Sequence, residues 1–492
     1  MKKSIFAVLA LFLIAACGTG LAAGWVQSIG DDVTIKETVL AGDKKAAEGI
    51  SVTTKAQYEG TPMFWETAYT VGEKADLSCE FMYKSNRHNT WERDPYSYSI
   101  VSFYTEPSDD EEWNAEYDGE TVDFEECLAT PEELVRPVID KTKAGETHRE
   151  TVYIKGQLPY YRVTLSYSTH DETGGGLVFY DDEEASEYFR IPVQDDDRLE
   201  VGVSKKEDGS CKYVKIKGEK ISYVETAGVG TEEAVYLFLT DMYSYTEKTD
   251  RKERVTLPSR LCGIHRIPLK EAENPYGTMK FQADYDNASL VSPMKQGCNV
   301  IKPFFSADRE SLMAFSVEDE RVSLLVFDTK SFKLKQEIYL TTYDKKDDLY
   351  WDDDSFVVRD EGNHMLVTLM NNQFSFLTKN KEGDWQLELT DRLLLNDEPE
   401  FLADEELAFA YRDDTLAFAC LHRKEKYVDE WDEIWGAAAS FQLSVYENDQ
   451  RVYDGFYESS LDALVDDRGY GLGAVAIDRT PITLSLPSAA SR

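Results

Sequence analysis

Between residues 303 and 461 the chain repeats itself, and the repeat leaves few folds open. Ser311-Leu312-Met313-Ala314-Phe315, His364-Met365-Leu366-Val367-Thr368 and Thr415-Leu416-Ala417-Phe418-Ala419 each begin an apolar strand. Leu312, Met365 and Leu416 stand 53 and 51 residues apart. Each is followed by a second strand, at 324–327, 374–377 and 441–446, and by a third, at 336–340, 385–389 and 451–457. An aromatic-acidic lead-in precedes each unit, at 304–308, 355–360 and 400–404. Short runs rich in β-branched and aromatic residues between polar turns read as strands.

Four short antiparallel strands in about fifty residues is the pattern of a propeller blade, and the C-terminal half resembles a β-propeller on these residues. A lone blade cannot bury both faces; stacking blades radially buries them and shelters the strand edges. Three units are too few to close a ring, so further blades are expected within 150–300. Ala234-Val235-Tyr236-Leu237-Phe238-Leu239 followed by Glu253-Arg254-Val255-Thr256-Leu257 is one candidate. Paired β-sandwiches are the alternative. The third unit carries an insertion, 425–439, with Trp431 and Trp435 at helical spacing. It reads as a short helix on the blade rim or a loop over its top.

Strand patterns also fill the first half. They run at 50–54, 63–71, 97–104, 150–154, 160–167, 177–180, 188–193 and 212–216, and Val33 and Ile35 alternate in a first strand. Residues 42–49 read as a helical turn closed by glycine, and 131–136 as one helical turn capped by Thr130. The acidic stretch 109–126 reads as an exposed loop. No helix-period stretch longer than about twelve residues follows residue 26, so the body is expected to be mostly β. The expected organisation is an anchor or signal at 1–26, a β-rich region at 27–140, a propeller-like region at 141–480 and a flexible tail at 481–492.

Residues 5–26 carry no formal charge for 22 positions and follow Lys2 and Lys3. A run of that length spans a bilayer as a helix, and the lysines favour a cytoplasmic start, with Trp25 at the interface. A second reading ends the apolar core at Ala16. Ile14-Ala15-Ala16-Cys17-Gly18 resembles the cleavage site of bacterial lipoproteins, which implies lipidation of Cys17. Simple cleavage is the third. All three place the body on the extracytoplasmic side of the cell membrane. Residues 42–72, together with the anchor, resemble uncharacterised membrane-anchored extracytoplasmic proteins of Gram-positive bacteria, a resemblance that implies location and no activity.

Acidic residues number 93 against 53 basic, a formal net charge of −40. That charge repels phosphate backbones, so nucleic acid is not an expected partner. Cys79, Cys127, Cys211, Cys262, Cys298 and Cys420 are widely spaced, open to disulfides or buried thiols, and form no Cys-x-x-Cys. Aspartates 195–197, 347–348 and 352–354 are the densest acid clusters; solvated turns are the plainer reading and Ca²⁺ the sharper one, without the glycine and distal glutamate of an EF-hand. No two of His88, His148, His170, His265, His364 and His422 fall within five residues, so no helical zinc pair exists. No Gly-x-Ser-x-Gly elbow occurs. Tyr96, Tyr98, Tyr104, Tyr160 and Tyr161 suit sugar stacking, or core packing. No cofactor and no catalytic residue is assigned. The expected function is an extracytoplasmic binding or scaffold protein for an envelope protein or a glycan; the alternative is an envelope enzyme acting on glycans or wall polymers.

Overall fold

The computed structural model describes residues 18, 24, 28, 30–58, 63–72, 76–83, 101–104, 112–114, 132–161, 163–170, 176–181, 183–231, 233–246, 251–271, 281–318, 320–342, 355–369, 373–394, 407–422, 426–429, 432–434, 440–461, 472–474 and 482–487. The anchor segment lies outside them apart from Gly18 and Gly24, and so does Cys17. Among the described residues no helix is long and apolar enough to cross a membrane. The chain is mostly β, in several antiparallel sheets. It forms two compact units, one within Met1–Glu92, Glu172–Gly174 and Trp351–Arg492, the other within Arg93–Asp171 and Gly175–Tyr350.

The first unit is built around a five-stranded sheet. Its strands are, in order, Ile35–Gly42, Gln450–Ser459, Ser440–Glu447, Thr415–His422 and Leu407–Arg412. Alternation along these strands sends side chains to two separate cores. Ala417, Ala419 and Leu421 face one way with Phe441, Leu443, Val445, Tyr453 and Tyr457, against Val52, Tyr69 and Ile482. Leu416, Phe418 and Cys420 face the other way with Leu407, Phe409 and Tyr446, against Leu366, Phe374 and Phe376. A strand whose successive residues are all apolar is one buried on both faces. Full burial of each large side chain stabilises by about 1.5–3 kcal/mol.

The neighbouring sheet runs Phe356–Asp360, His364–Leu369, Gln373–Lys379 and Trp385–Arg392. Its middle strands are almost wholly buried, while Trp385–Arg392 alternates between inward and solvent-facing residues. The third sheet takes Ser51–Tyr58, Met63–Thr70 and Asp76–Tyr83 from the start of the chain and Leu472–Ala474 with Ile482–Ser485 from its end. The segment 481–492 is therefore not simply a flexible tail: Ile482–Ser485 pairs with Ser51–Thr54, and Ile482 is buried.

In the second unit, Asn299–Phe305, Ser311–Glu318, Arg321–Asp328 and Leu334–Thr342 make another four-stranded sheet. The lead-ins at 304–305 and 356–360 thus belong to the first strands of their sheets, whereas 400–404 lies outside the described residues. A nine-stranded sheet contains Cys211–Gly230, a single strand of 20 residues. Its first half pairs with Arg198–Lys205 and its second with Ala234–Thr246. The candidate blade at 234–257 is not formed: residues 234–239 pair with 263–268, and it is residues 242–246 that pair with Arg251–Val255, all within the nine-stranded sheet. Ala234, Tyr236 and Phe238 pack on Val300, Leu312 and Phe327, while Leu237 and Leu239 enter the other core with Leu199, Val201 and Val203.

Three local expectations are corrected. Residues 188–193 are not a strand: helix Glu183–Phe189 runs into them, because Ala185 and Phe189 fall on one helical face and both are fully buried. The helical turn at 131–136 is a longer helix, Glu132–Lys141, whose Leu134, Val135 and Val138 enter the same core. The boundary expected between 140 and 141 falls inside it. The insertion at 425–439 contains a hairpin, Lys426–Asp429 with Asp432–Ile434, instead of a helix. Trp431 and Trp435 lie outside the described residues.

Candidate functional site

Buried polar groups survive in an apolar interior only when partners replace water. Three carboxylates, Asp197, Asp241 and Asp454, are buried among the described residues and Glu37 is half-buried, and their partners separate closed centres from an open one.

Asp197 is fully buried. The Tyr161 hydroxyl and the Gln194 backbone N–H (2.9 Å) donate to its Oδ2, and the Ser222 hydroxyl (2.9 Å) donates to Oδ1. Burial pushes its carboxyl up despite these donors, and burial also raises Tyr161. Its neighbours diverge: Asp196 pairs with Lys220, whose ammonium lowers its carboxyl, and Asp195 pairs with Lys155. The three aspartates therefore point to three different partners, and aspartates 347–348 and 352–354 lie outside the described residues. Among the described residues no group of three or more His, Cys, Asp or Glu is placed to hold a metal ion.

Asp454, also fully buried, accepts from Gln442 Nε2 (2.6 Å) and the Ser444 hydroxyl (3.2 Å). Arg451, its side chain 15% exposed, lies 3.8 Å from Asp454 and donates to Asp391 at 2.8 Å. Glu37 is the third centre. Tyr453 (3.0 Å), Tyr69 (3.5 Å) and Lys44 all donate to its carboxylate. Burial first, then the Glu37 charge, pushes the Tyr69 phenol up to about 12. These three carboxylates are enclosed by structural donors.

Asp241 is different. It is 0% exposed, and neither carboxylate oxygen receives a well-aligned hydrogen bond, although the Thr240 side chain and the Gly297 backbone lie close enough to favour its charged form. Its cationic partner is Arg254, whose Nε lies 2.9 Å from Oδ1 and whose side chain is 50% exposed. Burial raises the Asp241 carboxyl and the Arg254 charge opposes that rise. Asp241 reaches this position through a β-bulge. Glu225 pairs with Asp241 but Thr226 pairs with Leu239, so Thr240 is an extra residue. The bulge reverses the alternation: Leu237 and Leu239 face one core, and beyond it Met242 takes that face while Asp241 and Tyr243 turn to the other.

The sheet face beyond the bulge carries cations on tyrosines. Tyr223 pairs with Tyr243, and Tyr243 pairs with Arg254, so all three share one face. The Tyr223 and Tyr243 rings lie 6.1 Å apart at 33°. Lys252 sits 4.0 Å over the Tyr243 ring and pairs with Glu225. Burial opposes its charge, but Glu225 holds the ammonium above its ordinary value. Arg254 lies 5.7 Å from the same ring, and its Nη2 donates to the Tyr243 hydroxyl at 3.3 Å. Gly297, at φ +103°, borders Arg254; a Cβ there would come within 3.2 Å of Nη1. Sequence reasoning missed this face, since its residues lie on three strands joined by a bulge. The polar pair Thr240-Asp241 inside an apolar run was the one available signal.

Among the described residues, those singled out from sequence have separate surroundings. Tyr160 is exposed and Tyr161 buried; Tyr104 lies in strand Val101–Tyr104, and Tyr96 and Tyr98 lie outside the described residues. His265 is buried, with Nε2 toward the Leu261 carbonyl (2.9 Å) and Nδ1 toward the Tyr188 hydroxyl (3.0 Å). His364 packs on Tyr411 at 5.0 Å, and His148 stands beside Glu150. His170 and His422 lie in strands, and His88 lies outside the described residues. Cys79, Cys211, Cys262, Cys298 and Cys420 carry free thiols, and Cys127 lies outside the described residues.

No family model and no curated protein matches the chain. Solved structures resemble it distantly. A functionally unknown protein from Desulfotomaculum acetoxidans is 12% identical, covering 66% of this chain and 96% of its own, with a TM-score of 0.22. The Myceliophteria thermophila Cps50 (Swd1) β-propeller domain is 11% identical, covering 59% of this chain and 80% of its own, with a TM-score of 0.20. Kluyvelomyces marxianus Hsv2 is 10% identical, covering 61% of this chain and 98% of its own, with a TM-score of 0.21.

Proposed function

We propose that this chain is a binding protein held at the outer face of a cell membrane by residues 1–26, through a helix or through lipid on Cys17. Its body is propeller-like, and its ligand is an envelope protein or a glycan. The propeller reading is supported by sheets of four or five strands, with the five-stranded sheet of the first unit packed on both faces. The reading as a binder rests on one observation: Asp197, Asp454 and Glu37 are engaged by structural donors, while the Lys252–Arg254 face stands partly in solvent. Carboxylates enclosed in this way hold sheets together and are not free to serve as general acids or bases.

The test is crosslinking of the full-length protein in its own membranes, followed by recovery of what it holds. The expected result is reproducible capture of an envelope protein or wall glycan. Capture of neither from any fraction, with turnover of a glycan by the purified protein, would replace binding by catalysis.

A further inference from the structure

We propose that Arg254 and Lys252 form an oxyanion-binding site for a ligand carrying a carboxylate or phosphate group. The proposal deepens the binding role by naming a site and a ligand class, and it rests on that reading only for the ligand's source.

Four observations support the site. Arg254 is oriented from behind: its Nε faces the buried Asp241 carboxylate, so the two Nη groups point away from it on a half-exposed side chain. Nη2 gives one N–H to the Tyr243 hydroxyl at 3.3 Å, and the N–H groups that remain on Nη1 and Nη2 match a carboxylate or phosphate edge. Lys252 lies two residues away on the same strand and the same face, over the same Tyr243 ring. One strand repeat of two residues is about 6.8 Å, a span that one oxyanion group or two adjacent ones can bridge. The Tyr223 and Tyr243 rings lie beneath the Lys252 ammonium, at 5.3 and 4.0 Å, and help to hold the cation in place. Gly297 lies against Nη1, and a Cβ there would come within 3.2 Å of that nitrogen, so the close approach needs glycine.

Charge explains why such a site would be selective. A chain of net charge −40 repels anions at long range, so an anion must be held by local donors. Glu225 and Asp241 offset the two cations. The site therefore favours a ligand whose oxyanion makes directional bonds to both cations over a bare ion.

The experiment is calorimetric titration of the full-length protein at low ionic strength. The probes are inorganic phosphate, glucuronate and a polysaccharide bearing phosphate or uronate groups. Saturable binding is expected, weakened about tenfold or more in Arg254→Gln and several-fold in Lys252→Gln. Arg149→Gln, which removes an exposed cation from another strand, should leave it unchanged. Lys252→Gln keeps the Asp241–Arg254 pair and guards against misfolding of the first variant, and a melting curve accompanies each. Preference for the polysaccharide would identify a polymer as the source, and preference for phosphate a free ligand. No saturable binding of any probe, or equal loss in Arg149→Gln, overturns the site. Envelope capture that persists in that case leaves the binding role standing.

Discussion

At the scale of single residues, burial governs the titrating groups. His265 is buried, and burial first, with the nearby Arg260 charge, holds its imidazole below the usual range, although the Leu261 carbonyl favours the cation. A histidine depressed in the folded state contributes stability that is present above its unfolded pKa of about 6.5 and lost as pH falls through the folded value. Asp197, Asp241 and Asp454 are raised by burial, so they act in the opposite sense: their contribution is present at low pH and lost as pH rises. The comparison that isolates the histidine is wild type against His265→Gln, whose amide can serve both Tyr188 and Leu261. Melting temperatures measured between pH 7.5 and 5 should fall further in wild type than in the variant. Parallel curves would remove His265 from the acid response.

At the scale of elements, close approach decides what the strands tolerate. Gly455 lies beside the Tyr453 ring, and a Cβ there would collide with the phenol. Tyr453 is fully buried and hydrogen-bonded to Glu37 and Tyr457, so it has nowhere to move. Gly455→Ala should cost about 3 kcal/mol, read from urea unfolding. A cost below about 0.5 kcal/mol would mean that the ring relocates freely. The same strands show what was legible in advance. Apolar runs such as Leu416-Ala417-Phe418-Ala419 announce burial on two faces without any partner being known. Pairing between distant strands was not legible: nothing local tells Ile35–Gly42 that its partner is Gln450–Ser459. Residues 188–193 were misread because Tyr188, Phe189 and Ile191 suit a strand, whereas the core selects the helical face of Ala185 and Phe189. The Arg254 face was hidden for a related reason, since the bulge at Thr240 swaps the faces within a run whose one sequence mark is the polar pair Thr240-Asp241.

For the whole molecule, charge is the dominant global term. With 93 acidic and 53 basic residues, the folded chain repels itself, and salt screens that repulsion over about 8 Å at physiological ionic strength against about 30 Å at 0.01 M. Melting temperature should therefore climb by a few degrees between 10 mM and 300 mM NaCl, followed by circular dichroism. A falling melting temperature would mean that exposed ion pairs such as Lys36–Glu458 and Arg149–Glu200 outweigh the net repulsion.

The sheet that joins Ile35–Gly42 to Gln450–Ser459 sets a clock. Thr34 bonds Ser460 across a separation of 426 residues, so Ile35–Gly42 waits for a partner made far later in synthesis. Ser51–Tyr58 waits longer still, for Ile482–Ser485. Contacts this far apart in the chain form slowly. A growing polypeptide can mature the sheet at 299–342 well before Gln450–Ser459 is made, while Ile35–Gly42 stays unmated and threadable until then.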